Sequence, residues 1–92
     1  MFGVKTVKRT STGTVFSGPA RVIGLHAIAG GSTGSIVLKD GGASGTTLVD
    51  LDTPASSTEG IVNPYFSDEG FRFTNDVHVT LTNVTSITVI FA

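Results

Sequence analysis

Two histidines, His26 and His78, are the side chains of this chain best suited to metal binding or general acid–base chemistry. A zinc site draws three or four ligands from Cys, His, Asp and Glu. The chain has no cysteine, and neither histidine has a second His at ligand spacing. Each histidine lies in a strand pattern. We expect His78 on a solvent-facing strand face and His26 as a buried or interfacial imidazole, so neither predicts a metal or catalytic site.

Carboxylates offer a second route to chemistry, as ligands for Ca²⁺. Asp50, Asp52 and Glu59 lie within one stretch of the chain. An EF-hand is excluded because three of its required positions hold unsuitable residues, namely Pro54, Ala55 and Ile61. A looser loop-borne Ca²⁺ site and a plain solvated loop over residues 53–60 both remain open.

Asp68 and Glu69 are adjacent on a predicted turn. Neighbouring carboxylates on a turn point in different directions, which does not suit a general acid–base pair. No serine stands in a nucleophile elbow, and nothing in the pattern brings a histidine and an acid together for a triad. We therefore expect no enzyme, no cofactor and no small-molecule substrate.

A glycine-rich phrase occurs twice, at residues 30–34 and 41–45, each time before an apolar stretch that closes on aspartate. A phosphate-binding loop ends in Gly-Lys-Ser/Thr and is followed by a helix. Here no lysine follows the last glycine, and the next residues have strand character. We interpret both glycine runs as bends, and Asp40-Gly41-Gly42 predicts a hairpin turn.

The apolar pattern has a period of two, which indicates strands. Residues 77–81 and 87–91 alternate, and we expect them to form a C-terminal hairpin turning at 83–86. Residues 21–29 are apolar on both faces, with Ile23 and Ile28 on opposite sides. The alternation predicts one shared apolar layer made by the odd-numbered residues Val77, Val79, Leu81, Ile87, Val89 and Phe91.

These patterns predict one all-β domain over residues 1–92, with residues 1–10 as an extended N-terminal arm or edge strand. The expected fold is an antiparallel β-sandwich, jelly-roll-like, or a small barrel, with about seven to nine short strands and no significant helix. Many β-branched residues and 12 glycines disfavour helix.

Charge is sparse and unevenly distributed. Charged residues make up 14% of the chain, against about 25% in typical proteins. Residues 1–39 carry five cations and no acid, whereas residues 40–92 carry seven acids and only Arg72 as a cation. This separation suits head-to-tail subunit contact or docking on an acidic surface. Alternatively, interleaved strands bring the two halves together and cancel the field.

The sequence favours association with other proteins. A small domain without disulfides has little core to spare, and the second apolar face of residues 21–29 is a candidate interface, as is the C-terminal edge at 87–92. The residues we expect at the interface are Ile23, Leu25, Ile28, Ile90, Phe91, Arg9 and Arg21. No secretory signal or membrane-spanning stretch is seen, so we expect synthesis in a cytoplasm and no membrane partner.

The run from Ser35 to Leu48, the Leu51-Asp-Thr-Pro54 segment, Glu69-Gly-Phe-Arg-Phe-Thr74 and the Val79-Thr-Leu-Thr-Asn83 strand resemble small glycine-rich all-β proteins of tailed phages, notably those of marine bacteria. The resemblance covers residues 21–92. It implies a virion structural protein, made in the bacterial cytoplasm, such as a capsid decoration or cement protein or a head–tail or fibre component.

The partners that this resemblance implies are further copies of the chain, with a trimer favoured by the threefold sites of icosahedral shells, and the major capsid protein or another virion protein. We expect no direct contact with nucleic acid.

Two other classes of function remain open. A carbohydrate-binding or adhesion β-sandwich would show an exposed aromatic strip or a Ca²⁺ site, and a small enzyme would place a histidine beside a carboxylate in a cleft.

Overall fold

The computed structural model describes residues 4–55, 66 and 70–92, together with the backbone of residues 61–62. Within these residues the chain forms nine strands and no helix. The strands are β1 (Lys5–Arg9), β2 (Gly13–Phe16), β3 (Ala20–Ala29), β4 (Gly34–Asp40), β5 (Thr46–Thr53), β6 (Ile61–Val62), β7 (Phe71–Phe73), β8 (Val77–Thr82) and β9 (Val84–Phe91).

The strands make two sheets, and every strand pair is antiparallel. Sheet A has the order β1-β9-β3, with β6 and β7 both pairing the far side of β3. Sheet B has the order β2-β8-β4-β5. The predicted all-β sandwich is confirmed, and the two separate sheets distinguish it from a closed barrel.

The pairing pattern has the connectivity of a jelly roll. The β4–β5 hairpin lies at its centre, and from there each earlier strand pairs a later one: β3 with β6 and β7, β2 with β8, and β1 with β9. Successive pairs alternate between the sheets. Since β6 and β7 together fill one strand position, the nine segments form the eight-stranded double Greek key of jelly rolls.

The C-terminal hairpin predicted from alternation does not exist. Although only Asn83 separates β8 from β9, β8 pairs β2 and β4 in sheet B, and β9 pairs β1 and β3 in sheet A. Asn83 adopts a left-handed φ of 52°, which lets the chain turn sharply from one sheet to the other. Alternation defines which side of a strand is buried, but not the strand it pairs with.

The core lies between the two sheets and contains the apolar layer predicted for the C-terminal strands. Val77, Val79, Ile87 and Val89 are fully buried, and Phe91 is 2% exposed. Leu81 is half-buried and packs against the same cluster. The core is completed from the other strands by Val15, Ala20, Val22, Leu25, Ala27, Ile36, Leu38, Val49 and Phe73.

A β-bulge in β3 changes which residues of this strand face the core. Val22 pairs Phe91 and Gly24 pairs Ile90, which leaves Ile23 as the extra residue. The backbone carbonyl of Ile23 accepts a hydrogen bond from the Phe66 N–H at 2.8 Å. Because the bulge resets the alternation, Ile23 and Ile28 do not lie on opposite faces as predicted, and neither belongs to the core cluster.

The two glycine runs are bends, as predicted, but of different kinds. Residues 30–33 carry the chain from sheet A to sheet B, and Gly30 donates to the Asn83 carbonyl at 2.8 Å. The Asn83 side chain returns a hydrogen bond to the Thr33 carbonyl at 3.0 Å. The second run closes the predicted β4–β5 hairpin, where Gly41 and Gly42 have φ of 109° and 81°.

At this hairpin, two aspartates hold two turns together. Asp40 accepts hydrogen bonds from the backbone N–H groups of Thr74 and Asn75 at 2.9 and 2.8 Å. In return, Asp76 accepts from the N–H groups of Gly41 and Gly42 at 2.9 and 3.0 Å. The hydrogen bonds from the Thr74 and Asn75 backbone lower the pKa of Asp40 from 3.8 to about 2.

Candidate interaction surface

The charged residues of the strands are sorted by sheet. The described strands of sheet A carry five cations and no acid, the cations being Lys5, Lys8, Arg9, Arg21 and Arg72. Those of sheet B carry one lysine and three aspartates, namely Lys39, Asp40, Asp50 and Asp52. Within the described strands, interleaving therefore does not cancel the charge asymmetry seen in the sequence, because the three strand aspartates lie in β4 and β5 of sheet B. Glu59, Asp68 and Glu69 lie outside the described residues.

The outer face of sheet A carries a group of basic side chains, which we call the basic face: Lys8, Arg21, His26 and Arg72. All four residues are exposed. Arg21 lies directly opposite Arg72 in the β3–β7 ladder. His26 pairs Thr88 on β9, and Thr88 in turn pairs Lys8 on β1, so these three form a row across the sheet.

Apolar side chains lie among these cations. Ile28 is 37% exposed, and Ile90 is half-buried and pairs Gly24 on β3 and Thr6 on β1. Phe71 is not part of this face: it pairs the fully buried Val22, so it points to the inner side of sheet A, where its ring is 41% exposed at the edge and contacts that of Phe66 edge-on, with 5.0 Å between centroids. This combination of cations and exposed apolar groups on one sheet face is suited to protein contact.

The opposite side of the molecule presents an acidic strand, which we define as β5 with Asp50 and Asp52. Both aspartates are exposed, whereas Val49 and Thr53 of the same strand are buried. Asp50 lies opposite the half-buried Val37 on β4. The Lys39 ammonium, the only cation in the described strands of this sheet, donates to the Ala43 carbonyl at 2.9 Å within the β4–β5 turn.

The residues predicted at an interface are divided by the fold. Leu25 and Phe91 are 0% and 2% exposed and lie inside the sandwich, so no surface contact can include them. Ile23, Ile28, Ile90 and Arg21 are outside the core cluster, on β3 and β9 of sheet A.

Arg9, the remaining residue of that set, has a structural role. Its guanidinium reaches the backbone carbonyls of the β1–β2 turn, with Nε 3.2 Å from the Ser11 oxygen and Nη1 3.3 Å from the Thr14 oxygen. Thr12 accepts a further hydrogen bond from the Leu81 N–H at 3.0 Å, which fixes this turn against β8. Arg9 therefore stabilises the chain's own fold.

The predictions of a solvent-facing His78 and a buried His26 are wrong, whereas an interfacial position of His26 stays a prediction. His26 is exposed on the basic face, whereas His78 is only 7% exposed. His78 lies between Thr14 and Lys39 on the neighbouring strands of sheet B. Its Nδ1 atom is buried and has no hydrogen-bond partner among the described residues. The His78 side chain points outward but is buried because the neighbouring strands cover it. The alternation pattern does not show such cover.

The described residues contain no group of three or more His, Cys, Asp or Glu side chains that could hold a metal ion. Asp50 and Asp52 point to the same side of β5, but Glu59, the third residue of the suggested cation site, lies outside the described residues, as do Asp68 and Glu69.

The sequence analysis did not include Lys8 and Arg72 among the expected interface residues. Only strand register, which brings them beside His26 and Arg21, could have identified them.

No protein-family model, curated protein or solved structure matches the chain. Over the part of the chain that the structure describes, no helix is long and apolar enough to cross a membrane.

Proposed function

We propose that this chain is a structural subunit of a phage virion, either a capsid decoration or cement protein or another head–tail accessory subunit. It acts through self-association and through docking on the major capsid protein or another virion protein. This role is non-enzymatic. The outer faces of the two sheets make the contacts with other proteins, and the core holds those faces in place.

The observation that carries the proposal is a jelly roll whose described strands carry cations in one sheet and mostly aspartates in the other. Jelly rolls occur in viral capsid proteins and lectins, so the fold is compatible with the role without establishing it. The argument from the surface is independent of fold. The basic face combines exposed cations with Ile28, and the opposite sheet carries exposed Asp50 and Asp52. Complementary fields of this kind direct protein association.

A carbohydrate-binding or adhesion module is the second candidate. It is favoured by the lectin use of jelly rolls and by the exposed Phe71, whose ring lies beside Phe66. Aromatic rings of this kind can stack on the apolar face of a sugar. Glycan-array binding that is lost in Phe71→Ala but kept in Ile28→Ala would favour this function over the virion role.

Sedimentation with capsids tests the main proposal. Purified protein is mixed with expanded capsids of tailed phages of marine bacteria from which the accessory proteins have been removed. We expect saturable binding with a fixed number of copies per capsid. Lys8→Glu combined with Arg72→Glu should weaken it, whereas Thr10→Glu in the exposed β1–β2 turn should not. Failure to bind any such capsid, together with glycan binding, would contradict the virion role.

A further inference from the structure

We propose that the Asp40–Gly41 peptide is a modification site, at which aspartate converts to isoaspartate, and that Asp76 suppresses this reaction in the folded protein. The conversion is favoured where glycine follows aspartate, because a side chain on the second residue hinders attack by its backbone nitrogen. Asp40–Gly41 is the only Asp-Gly sequence in the chain, and the chain has no Asn-Gly sequence. The inference does not rest on the proposed function.

The conversion passes through a five-membered succinimide ring. The amide nitrogen of Gly41 gives up its proton and attacks Cγ of Asp40. The N–Cγ bond forms, the Cγ–OH bond of the carboxyl group breaks, and the hydroxyl leaves with that proton as water. Water then reopens the ring. Addition at the main-chain carbonyl carbon of Asp40 breaks the bond from this carbon to the Gly41 nitrogen and gives isoaspartate, whereas addition at Cγ restores aspartate.

The β4–β5 hairpin needs both residues of this labile pair. Gly41 has a φ of 109°, in the region that disfavours any residue with a side chain. A larger residue at this position would slow the reaction but would strain the turn. Asp40 cannot be exchanged without loss either, because its carboxylate binds residues 74–76 between β7 and β8. The fold therefore keeps a reactive sequence for structural reasons.

The folded chain holds the carboxyl group of Asp40 away from the nitrogen that would attack it. Its Oδ2 accepts hydrogen bonds from the backbone N–H and the hydroxyl of Thr74, both at 2.9 Å. Its Oδ1 accepts from the N–H groups of Asn75 and Asp76 at 2.8 and 3.3 Å. The rotation that brings Cγ onto the Gly41 nitrogen would break these bonds.

The same hydrogen bonds make the carboxyl group less reactive. Those from the backbone of Thr74 and Asn75 lower the pKa of Asp40 from 3.8 to about 2. The group therefore stays ionised in weakly acidic solution. A carboxylate is a much poorer electrophile than a carboxylic acid, because its leaving group would be an oxide and not a hydroxyl.

Asp76 holds the attacking group. Its Oδ1 accepts hydrogen bonds from the N–H groups of Gly41 and Gly42 at 2.9 and 3.0 Å. A negative charge at this distance opposes loss of the Gly41 proton, and the hydrogen bond fixes the nitrogen toward the opposite turn. Both reacting groups are thus bound across the same junction, so the reaction requires the two turns to separate.

The product prevents the junction from closing again. In isoaspartate the main chain runs through Cγ and is one atom longer, and the carboxylate is attached directly to Cα. The side chain that accepted four hydrogen bonds no longer exists, and the hairpin register next to residue 40 is shifted. An opening of the junction that is followed by isomerisation is therefore a permanent change.

Ageing of the full-length protein tests the proposal. Folded wild type, folded Asp76→Ala and wild type unfolded in guanidinium chloride are incubated at weakly acidic pH. Peptide mapping with electron-transfer fragmentation then distinguishes isoaspartate from aspartate at position 40. We expect rapid conversion in the unfolded chain and slow conversion in folded wild type. Asp76→Ala should convert at least about fivefold faster than folded wild type, because it loses hydrogen bonds to a charged group and its turns open more often.

Gly34→Ala is the matched control for a general loss of stability. It lies at the other end of β4, where a Cβ would collide with the Thr82 carbonyl oxygen, and it leaves both turns intact. It should convert at the wild-type rate, and circular dichroism checks that each variant is folded. If Asp76→Ala does not fold, Asp76→Asn replaces it. This variant keeps an oxygen acceptor without the charge and should convert about twofold faster than wild type.

The outcomes separate local protection from overall stability. Faster conversion in the Asp76 variant than in Gly34→Ala, with both proteins folded, supports the proposal. Equal rates in folded and unfolded wild type overturn it, as does a folded Asp76 variant that converts at the wild-type rate. A rate in Gly34→Ala that matches the Asp76 variant also overturns it. Capsid binding tests the proposed function separately, and none of these results changes it.

Discussion

The two sheets are alike inside and different outside. Each contributes fully buried aliphatic residues to the same core, Leu25 and Ile87 from sheet A and Ile36 and Leu38 from sheet B. Outside, sheet A presents cations with exposed apolar groups, and sheet B presents aspartates on its edge strand. Packing requires only the inner faces. The charge difference between the outer faces is therefore not a requirement of the fold, which points to a role in function.

Truncating one leucine in each sheet tests whether the two inner faces contribute equally to the stability of the core. Leu25→Ala and Leu38→Ala each remove a fully buried side chain. We expect each to lower the free energy of unfolding by about 2–5 kcal/mol, measured by urea denaturation. Ile28→Ala on the outer face is the control and should cost less than about 1 kcal/mol. If Leu25→Ala lowers the free energy of unfolding as little as the control does, the burial of Leu25 in the core is contradicted.

The junction between the sheets is tested by a glycine pair. A Cβ at Gly34 would collide with the Thr82 carbonyl oxygen, whereas a Cβ at Gly31 has no atom within 4 Å. We expect Gly34→Ala to cost about 1–3 kcal/mol. Gly31→Ala should be neutral or stabilise by about 0.4–1 kcal/mol, because alanine restricts the unfolded chain. Equal thermal midpoints for the two variants would contradict the close approach of these crossovers.

The hairpin of sheet B is expected to weaken in acid. The pKa of Asp40 is about 2 in the folded chain, below its ordinary value of 3.8. Its contribution is therefore complete above about pH 4 and is lost as the pH falls toward 2. Asp40→Asn should lower the urea midpoint at pH 7 and flatten its decline between pH 5 and 2. Exposed Asp50→Asn is the control, and an unchanged acid profile for Asp40→Asn would argue against this role.

The sequence predicted the inner faces well because burial leaves a period-two pattern. The core positions of β8 and β9 and the two glycine bends were confirmed. Strand pairing was not predictable from that pattern, so β8 and β9 were wrongly joined in a hairpin. The bulge at Ile23 was also missed, although the neighbouring Gly24, a glycine inside a strand pattern, is a residue that often marks one.

The candidate surface was harder to predict because it depends on register. Arg21 was identified from the sequence, but its neighbour Arg72 lies 51 positions later in the chain and is brought opposite it only by the β3–β7 ladder. The charge asymmetry was visible in the sequence. Its preservation within the described strands depended on placing the acidic strand in sheet B, which no local signal specifies.

The smallest expected effect separates association from folding. Arg72→Gln removes one cation from the pair with Arg21 and keeps a long polar side chain. Because Arg72 is exposed on the outer face, its replacement should change the free energy of unfolding of the monomer by no more than about 0.5 kcal/mol. Loss of a guanidinium from the basic face should at the same time weaken self-association. Chemical denaturation at low protein concentration and sedimentation at high concentration measure the two effects.

Weaker self-association at nearly unchanged monomer stability would indicate that Arg72 serves the interface and not the fold. Lys39→Gln is the matched control, because Lys39 is a cation of sheet B and lies outside the basic face. It should leave self-association at wild-type strength. If Arg72→Gln leaves association unchanged and lowers monomer stability, the arginine pair is a structural feature of sheet A, and the functional distinction between the two outer faces fails.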